Sequence, residues 1–239
     1  MLRLAPLVLL VPIAAACGGG SKHSSSNAAP VDAVKSAAQK TYAAGSEALE
    51  LTANVDGSGQ SVALSGKGAF ATKTARGSLH LDVNAAPITT TIDEVLVGTA
   101  AYLRSPLLTG SLPDGKTWLK LDLRNLHVSG IDLQALLAQD PGAELKRLQA
   151  LKSATKVGTD QIGTHYKVQA TTGSISDYDV WVGGDGYIHR VVVAQASPKV
   201  SVTIDLSKFG TTVTAAAPPA AQVYESKNGP IPGLGGVGA

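Results

Sequence analysis

Cysteine and aromatic residues are scarce in this sequence, and both shortages limit what the protein can be. Cys17 is the only cysteine among the 239 residues, so no internal disulfide can form. Phe, Trp and Tyr make up 4% of the chain, whereas hydrophobic residues together make up 44%. A folded core must therefore be built mainly from Leu, Val, Ile and Ala.

An excess of one charge is also lacking, and so is a long apolar run. The formal net charge is +2, and no basic stretch with interleaved aromatic residues is present, so we expect no nucleic-acid partner. The apolar run at residues 4–13 is too short to cross a membrane as a helix. The sequence therefore predicts neither binding to nucleic acid nor a helix that spans a membrane.

The N-terminus instead has the features of an export signal. Arg3 precedes the apolar run, and three alanines stand directly before Cys17, which predicts a signal peptide at 1–16. The sequence AAAC-GGGS is similar to a bacterial lipobox, although Ala14 stands where Leu is usual. On that interpretation diacylglycerol alkylates the Cys17 sulfur, and residues 17–30 tether the protein to the outer face of the cell membrane. The alternative is an ordinary secretory signal with an incidental cysteine.

Beyond the tether, the pattern of apolar residues predicts mostly strands. The stretch 162–210 reads as strand, turn, strand, turn, strand, with Val, Ile, Thr and Tyr interrupted by Gly and Asp. Helical spacing is confined to an Ala-rich segment at 32–44 and to two short Leu-rich helices between residues 131 and 151. About ten or eleven strands result, and an open sheet of that size curls instead of staying flat.

The predicted domain organisation follows from these elements. Residues 31–214 form one α+β domain, in which a curled antiparallel sheet covers a few short helices. Residues 215–239 are rich in Pro, Ala and Gly, and we expect them to be a flexible tail.

One segment matches the phosphate-binding loop pattern G-x-x-x-x-G-K-T. It runs from Gly110 to Thr117, but an alternating strand, WLKLDL, follows it where a phosphate loop needs a helix N-terminus. Pro113 also removes one of the backbone amides that such a loop uses. We therefore predict a turn between strands at this place, and no nucleotide cofactor.

The remaining residues of catalytic or metal-binding type form no known active-site or metal-site motif. No two histidines have the spacing of a metalloprotease helix, and no G-x-S-x-G motif is present. His165 and His189 could be neighbours on adjacent strands, near Asp177, Asp179 or Asp185, but solvent-facing histidines are the simpler interpretation. We predict no catalytic residues, no metal site and no cofactor, so the protein is not expected to be an enzyme.

The aliphatic residues carry more information, because a sheet with one apolar face must cover that face with helices, a second sheet or a ligand. Three short helices do not plainly cover so wide a sheet. The sequence is therefore compatible both with a cavity for a ligand and with a core that is fully packed by its own side chains. If a cavity exists, alternation places the following residues in its wall: Leu51, Val55, Leu81, Val83, Ile92, Leu119, Leu121, Leu133, Leu136, Leu137, Val180, Val182, Val191 and Val193.

Several motifs are similar to those of a known family. Besides the lipobox and tether, they are GTHY at 163–166, DVWV at 179–182, GDGYIHR at 184–190 and DLSKFG at 205–210, which leads into VTA and APP. Together they resemble the actinobacterial LppX/LprA/LprF/LprG lipoproteins, which share an architecture with the LolA and LolB carriers. The likeness covers most of the mature chain in layout, but only its C-terminal third in recognisable residues.

The resemblance implies an antiparallel half-barrel around helices, with an apolar cavity for acyl chains of lipids or glycolipids. It also implies a lipid anchor on Cys17 and a role in carrying lipid across the envelope, with an envelope transporter as partner. The alternative is a structural or adaptor lipoprotein, anchored in the same way, that docks a partner protein and binds no lipid.

Overall fold

The computed structural model describes residues 28–57, 60–122, 141–169, 177–196 and 199–225. Within these ranges the chain has two α-helices and twelve strands, and all twelve strands belong to one sheet. The predicted fold class, α+β with a curled and unclosed sheet, is confirmed, although the strands number twelve instead of ten or eleven. Cys17 and the helix predicted around Leu133, Leu136 and Leu137 lie outside the described residues.

The two helices agree with the apolar spacing in the sequence. Helix α1 (Ala28–Ala44) begins four residues before the predicted start, and α2 (Pro141–Gln149) corresponds to the second helix of the predicted pair. Proline in the first turn of α2 is well tolerated, because the first amides of a helix have no partner within it. Val34 and Ala38 of α1 have no exposed surface, so this helix is a central part of the core.

The strands are from 3 to 12 residues long. They are β1 (Glu47–Gly57), β2 (Gln60–Ala71), β3 (Arg76–Ala85), β4 (Ile88–Val97), β5 (Ala100–Arg104), β6 (Trp118–Asp122), β7 (Ser153–Thr159), β8 (Thr164–Gln169), β9 (Asp177–Val182), β10 (Ile188–Ala196), β11 (Lys199–Ser207) and β12 (Val223–Glu225).

The sheet consists of two antiparallel meanders joined at β1. The strand order is β12-β6-β5-β4-β3-β2-β1-β11-β10-β9-β8-β7, so the first strand of the domain pairs with the last strand of the second meander. Only β12 is parallel to its neighbour, β6. The pairing of β1 with β11 brings the two halves of the chain together and fixes which side chains share a face.

One face of the sheet, called the inner face below, carries the core. In β3, buried and exposed residues alternate from Arg76 to Asp82, as expected for a strand with one solvated face. Helix α1 lies against α2 and contacts β7, β9 and β10, so the helices cover the half of the inner face formed by the second meander. The Thr41 hydroxyl, fully buried, donates to the Ala37 carbonyl at 2.8 Å and accepts the Ile188 amide at 2.9 Å.

The segment that matches a phosphate-loop pattern is a turn, as predicted. A short 3-10 turn spans Pro113–Gly115, and β6 then begins at Trp118, so no helix N-terminus follows. The Thr117 amide instead donates to the Gln222 carbonyl at 3.0 Å. This bond brings the C-terminal segment beside β6, where Val223–Glu225 forms β12 within the region expected to be a flexible tail.

Candidate functional site

All the predicted wall residues that the structure describes lie on the inner face. Register places Leu51 opposite Ile204, and Leu81 opposite Ile92. Those that are buried are Leu81, Leu119, Leu121, Val180, Val191 and Val193, and those that are half-buried are Leu51, Val55, Val83, Ile92 and Val182. Their shared face follows from alternation, whereas their contact with a ligand stays a prediction.

The buried residues of the inner face belong to two separate clusters. The larger cluster includes α1, α2 and the strands from β1 to β4 and from β7 to β11. The smaller one consists of Leu119 and Leu121 of β6 packed against Leu108 and Leu112 of the preceding loop, with Leu103 and Tyr224 at its border. Leu119 and Leu121 are therefore covered by this loop.

Between the helix-covered half and this loop, several aliphatic residues of the inner face are only half-buried, although others on the same strands are buried. We call this stretch the half-buried patch; its members are Leu51, Val55, Leu64, Val83, Ile92, Val200 and Ile204. All seven lie on β1–β4 and β11, away from the strands that α1 contacts most. At one end of β4 the patch continues into Ile88, which is 49% exposed. The patch is thus an aliphatic surface that the described residues leave partly open.

Glu94 interrupts the aliphatic inner face beside this patch. It is the inward residue of β4 between Ile92 and Leu96, and its cross-strand neighbours are Leu79 on β3 and Leu103 on β5. The side chain is 5% exposed, and none of the described residues donates a hydrogen bond to its carboxyl group. Burial raises the pKa of Glu94 from 4.5 to about 7, since an apolar surrounding disfavours the charged form.

Sequence reasoning missed Glu94, although a signal for it was present. In ITTTIDEVLV the apolar residues Ile88, Ile92 and Leu96 mark the inward positions, and Glu94 falls on the same alternation. A charged residue at an inward position is an exception that calls for a functional or structural reason.

Other polar groups near Glu94 on the inner face have partners. The hydroxyl oxygens of Thr90 and Ser105 lie 3.1 Å apart, and the Ser105 hydroxyl also accepts the Leu107 amide at 3.3 Å. Glu47 is the second inward carboxyl and lies on β1, three strands away from Glu94. Across the described parts of β1–β6 and β8–β11, the inner face carries these two carboxyls and no Lys, Arg or His.

The outer face is polar, and many of its charges are paired with one another. A single cross-strand row runs from β6 to β8 through Trp118, Arg104, Asp93, His80, Lys67, Glu50, Asp205, Arg190, Trp181 and His165. Arg104 Nη2 lies 2.7 Å from Asp93 Oδ2, and Lys67 Nζ lies 3.0 Å from Glu50 Oε1. The hydrogen bond with Asp93 raises the pKa of His80 and lowers that of Asp93. Because its members satisfy each other, this row is not the candidate site.

His165 and His189 are not on adjacent strands, because β9 lies between β8 and β10, so the less favoured alternative of a pair across adjacent strands is wrong. His165 Nε2 is 2.7 Å from Asp179 Oδ1, and its ring stacks on Trp181 with centroids 4.1 Å apart. His189 instead lies 3.0 Å from Asp185. In the described part of the chain, no three His, Cys, Asp or Glu residues are grouped so that they could hold a metal ion.

The described helices are also informative about the membrane. Neither of them is both long enough and apolar enough to cross a bilayer.

The fold and the inner face together define the class of protein: a curled, unclosed α+β half-barrel whose apolar side is partly open.

Several solved structures have a similar fold. One is LprF from Mycobacterium bovis, at 14% identity and a TM-score of 0.45, covering 80% of this chain and 97% of that one. Another is an uncharacterized conserved protein from Thermus thermophilus, at 11% identity and a TM-score of 0.41, covering 79% and 99%. A third is a putative outer membrane lipoprotein-sorting protein domain from Vibrio parahaemolyticus, at 10% identity and a TM-score of 0.34, covering 74% and 92%.

One of these structures, LprF, has the name of a member of the family that the sequence resembles. Every TM-score given is below 0.5, so the likeness carries no argument about ligand or activity. No protein-family model matches the chain, and no curated protein matches it either.

Proposed function

We propose that this chain is a lipoprotein of the cell envelope that binds the acyl chains of a lipid or glycolipid on the inner face of its half-barrel. Cys17 would carry the diacylglycerol anchor, and residues 18–30 would hold the domain a short distance from the membrane. The function is binding and carriage, with an envelope transporter as partner, and it requires no catalytic residues and no cofactor.

The observation that carries this proposal is the half-buried patch. Inward aliphatic residues of a folded sheet are normally closed off by their own core, as Val180 and Val193 are here. The patch instead leaves seven aliphatic side chains partly open on one continuous face, flanked by a fully packed core. A ligand with long hydrocarbon chains fits such a surface, because each buried methylene contributes about 0.8 kcal/mol.

The direct test is the lipid content of the purified protein. The chain from residue 17 onward, with Cys17→Ser so that no anchor is attached, would be purified under native conditions and analysed by native mass spectrometry. We expect co-purified lipid, or saturable uptake of a fluorescent fatty-acyl probe by the delipidated protein. Absence of both would contradict the proposal and favour the adaptor lipoprotein instead.

Two neighbouring residues on β1 provide a matched pair of variants. Leu51 belongs to the patch, whereas Thr52 is exposed on the outer face. Leu51→Gln places an amide among aliphatic side chains and should weaken probe binding by about tenfold, because a buried amide without a partner costs about 1–3 kcal/mol. Thr52→Gln should bind as the parent does. Equal effects of the two changes would show that the patch is not where the probe binds.

A further inference from the structure

We propose that Glu94 is a specificity residue of the inner face, where it donates a hydrogen bond from its protonated carboxyl group to a carbonyl oxygen at the polar end of the bound acyl chains. This inference rests on the proposed function, because it assumes that the ligand lies along the half-buried patch. It adds a statement about selectivity: the protein should bind acyl esters more tightly than ethers with the same hydrocarbon chains.

The position of Glu94 is the first argument. On β4 it directly follows Ile92, a member of the patch, along the inner face, and it lies where the two apolar clusters meet, between Leu79 and Leu103. A ligand chain lying on the patch would therefore bring the atoms at one of its ends next to this carboxyl. Polar groups placed singly in an apolar site fix the orientation of a ligand and provide specificity.

The absence of a partner is the second argument. No described residue donates a hydrogen bond to the Glu94 carboxyl group, and Glu94 is 5% exposed, so little of this group is open to bulk water. The nearby Thr90 and Ser105 hydroxyls are already bonded to each other. A carboxyl in this state can gain a hydrogen bond from a ligand without breaking one within the protein.

The surroundings of Glu94 favour its neutral form as the one that binds. The residues that face it are Leu79 on β3 and Leu103 on β5, and the loop at 105–112, packed on Leu103, has no titratable side chain. The adjacent Asp93 and Arg104 point to the outer face and pair there. Burial is the sole cause of the raised pKa of Glu94, about 7, so below pH 7 the group is largely a neutral donor.

An ester carbonyl suits this donor better than a cationic group does. Burying an ion pair between Glu94 and an amine would require both charges to lose their water, which the attraction between them repays poorly. A neutral carboxylic acid and an ester carbonyl bear a smaller desolvation cost and form one hydrogen bond. The predicted affinity for the ester is therefore only about three- to tenfold higher than that for the ether, which corresponds to the usual free energy of a single neutral hydrogen bond.

The test compares two ligands that differ only in the ester group. Dioleoylglycerol and the matching dioleyl glycerol ether would compete with a fluorescent acyl probe for the full mature chain with Cys17→Ser, at pH 5.5 and at pH 8.5. We expect the parent protein to prefer the ester at pH 5.5 and to lose that preference at pH 8.5, where Glu94 is ionised and has no proton to donate.

Variants separate the role of the carboxyl from general effects on the fold. Glu94→Gln keeps a hydrogen-bond donor at every pH and should prefer the ester at both pH values. Glu94→Leu has no donor and should bind the ester and the ether equally at both pH values. Glu50→Gln makes the same change on the outer face and should behave like the parent.

An ester preference that persists in Glu94→Leu, or that is missing from the parent at pH 5.5 while the ether still binds, would overturn this inference and leave the proposed function standing. If the parent binds neither ligand at either pH, both the proposed function and this inference are wrong.

Discussion

At the scale of single residues, Glu94 makes the stability of the fold depend on pH. In the unfolded chain this carboxyl would titrate near its usual value of 4.5, whereas burial raises its pKa to about 7 in the folded protein. Between these values the folded state binds more protons than the unfolded state does. The contribution of Glu94 to stability is therefore greatest below pH 4.5 and is lost as the pH rises towards 7.

This linkage gives a prediction that needs no ligand. Replacing Glu94 by Gln removes the ionisable group, so the variant should gain stability over the parent as the pH rises from 5 to 8, by up to about 3 kcal/mol. Urea unfolding of both proteins at the two pH values measures this difference. Glu50→Gln, on the solvated outer face, should show no such gain. A parent and a Glu94→Gln variant with parallel pH profiles would contradict the prediction.

Many charged residues are paired on the outer face of the sheet, but charged residues are rare on its inner face. On the outer face, acids and bases lie side by side on neighbouring strands, and pairs such as Arg190 and Asp205, with contacts of 2.5 and 2.9 Å, satisfy each other. Exposed pairs of this kind contribute about 0–1 kcal/mol each, so their main effect is on register and solubility. On the inner face, by contrast, an unpaired charge is costly, which is why Glu94 needs a separate explanation.

At the scale of elements, glycines allow β2 and β3 to pack closely against each other. Gly68 lies on the inner face opposite Leu79, and a Cβ atom added to it would overlap the Ser78 carbonyl oxygen and lie 2.9 Å from the Leu79 Cα. Gly77, on the adjacent strand, lies against the Phe70 ring in the same way. Both neighbours of Gly68 are backbone atoms, so they cannot move aside without a shift of the whole strand.

Gly68→Ala should therefore destabilise the protein by about 1–3 kcal/mol or more, as overpacking of a core does. Gly158→Ala is the matched control, because Gly158 also lies in a strand and has no atom within 4 Å of its added Cβ. This control should be neutral or slightly stabilising, since alanine restricts the unfolded chain. Thermal unfolding followed by circular dichroism compares the two. A Gly68→Ala variant as stable as Gly158→Ala would show that β2 and β3 are less tightly packed than described.

The elements also show what sequence can and cannot predict. Alternation correctly assigned Leu51, Leu81 and Val180 to one face, since it needs only the two-residue period of a strand. The pairing of β1 with β11 was not predictable, because it joins segments that lie far apart along the chain. Whether His165 and His189 are neighbours could not be decided from the sequence for the same reason, since it depends on strand order. The close approach at Gly68 depends on the register of β2 against β3, so no local pattern reveals it.

At the scale of the whole molecule, an unclosed half-barrel has two sheet edges that it must protect from pairing with other chains. The edge strand β7 carries a register shift between Lys156 and Gly158, and both a bulge and an exposed lysine discourage further pairing. At the other edge, the C-terminal segment crosses to β6 and adds the three-residue strand β12. A very short edge strand offers few unpaired backbone groups, so both edges are protected in ways that the fold supplies itself.

Removing β12 should therefore expose β6 and cause self-association. A chain ending at Gln222 loses the pairing of Val223–Glu225 with β6 and the contact between Lys120 Nζ and Glu225 Oε1 at 2.9 Å. The exposed edge of β6 then presents unpaired amides beside Leu119 and Leu121, which favours pairing with a second copy. Light scattering over a range of protein concentrations should show association of this chain, and no additional association of a matched chain that ends at Glu225. If the two truncated chains associate equally, β12 does not protect the edge.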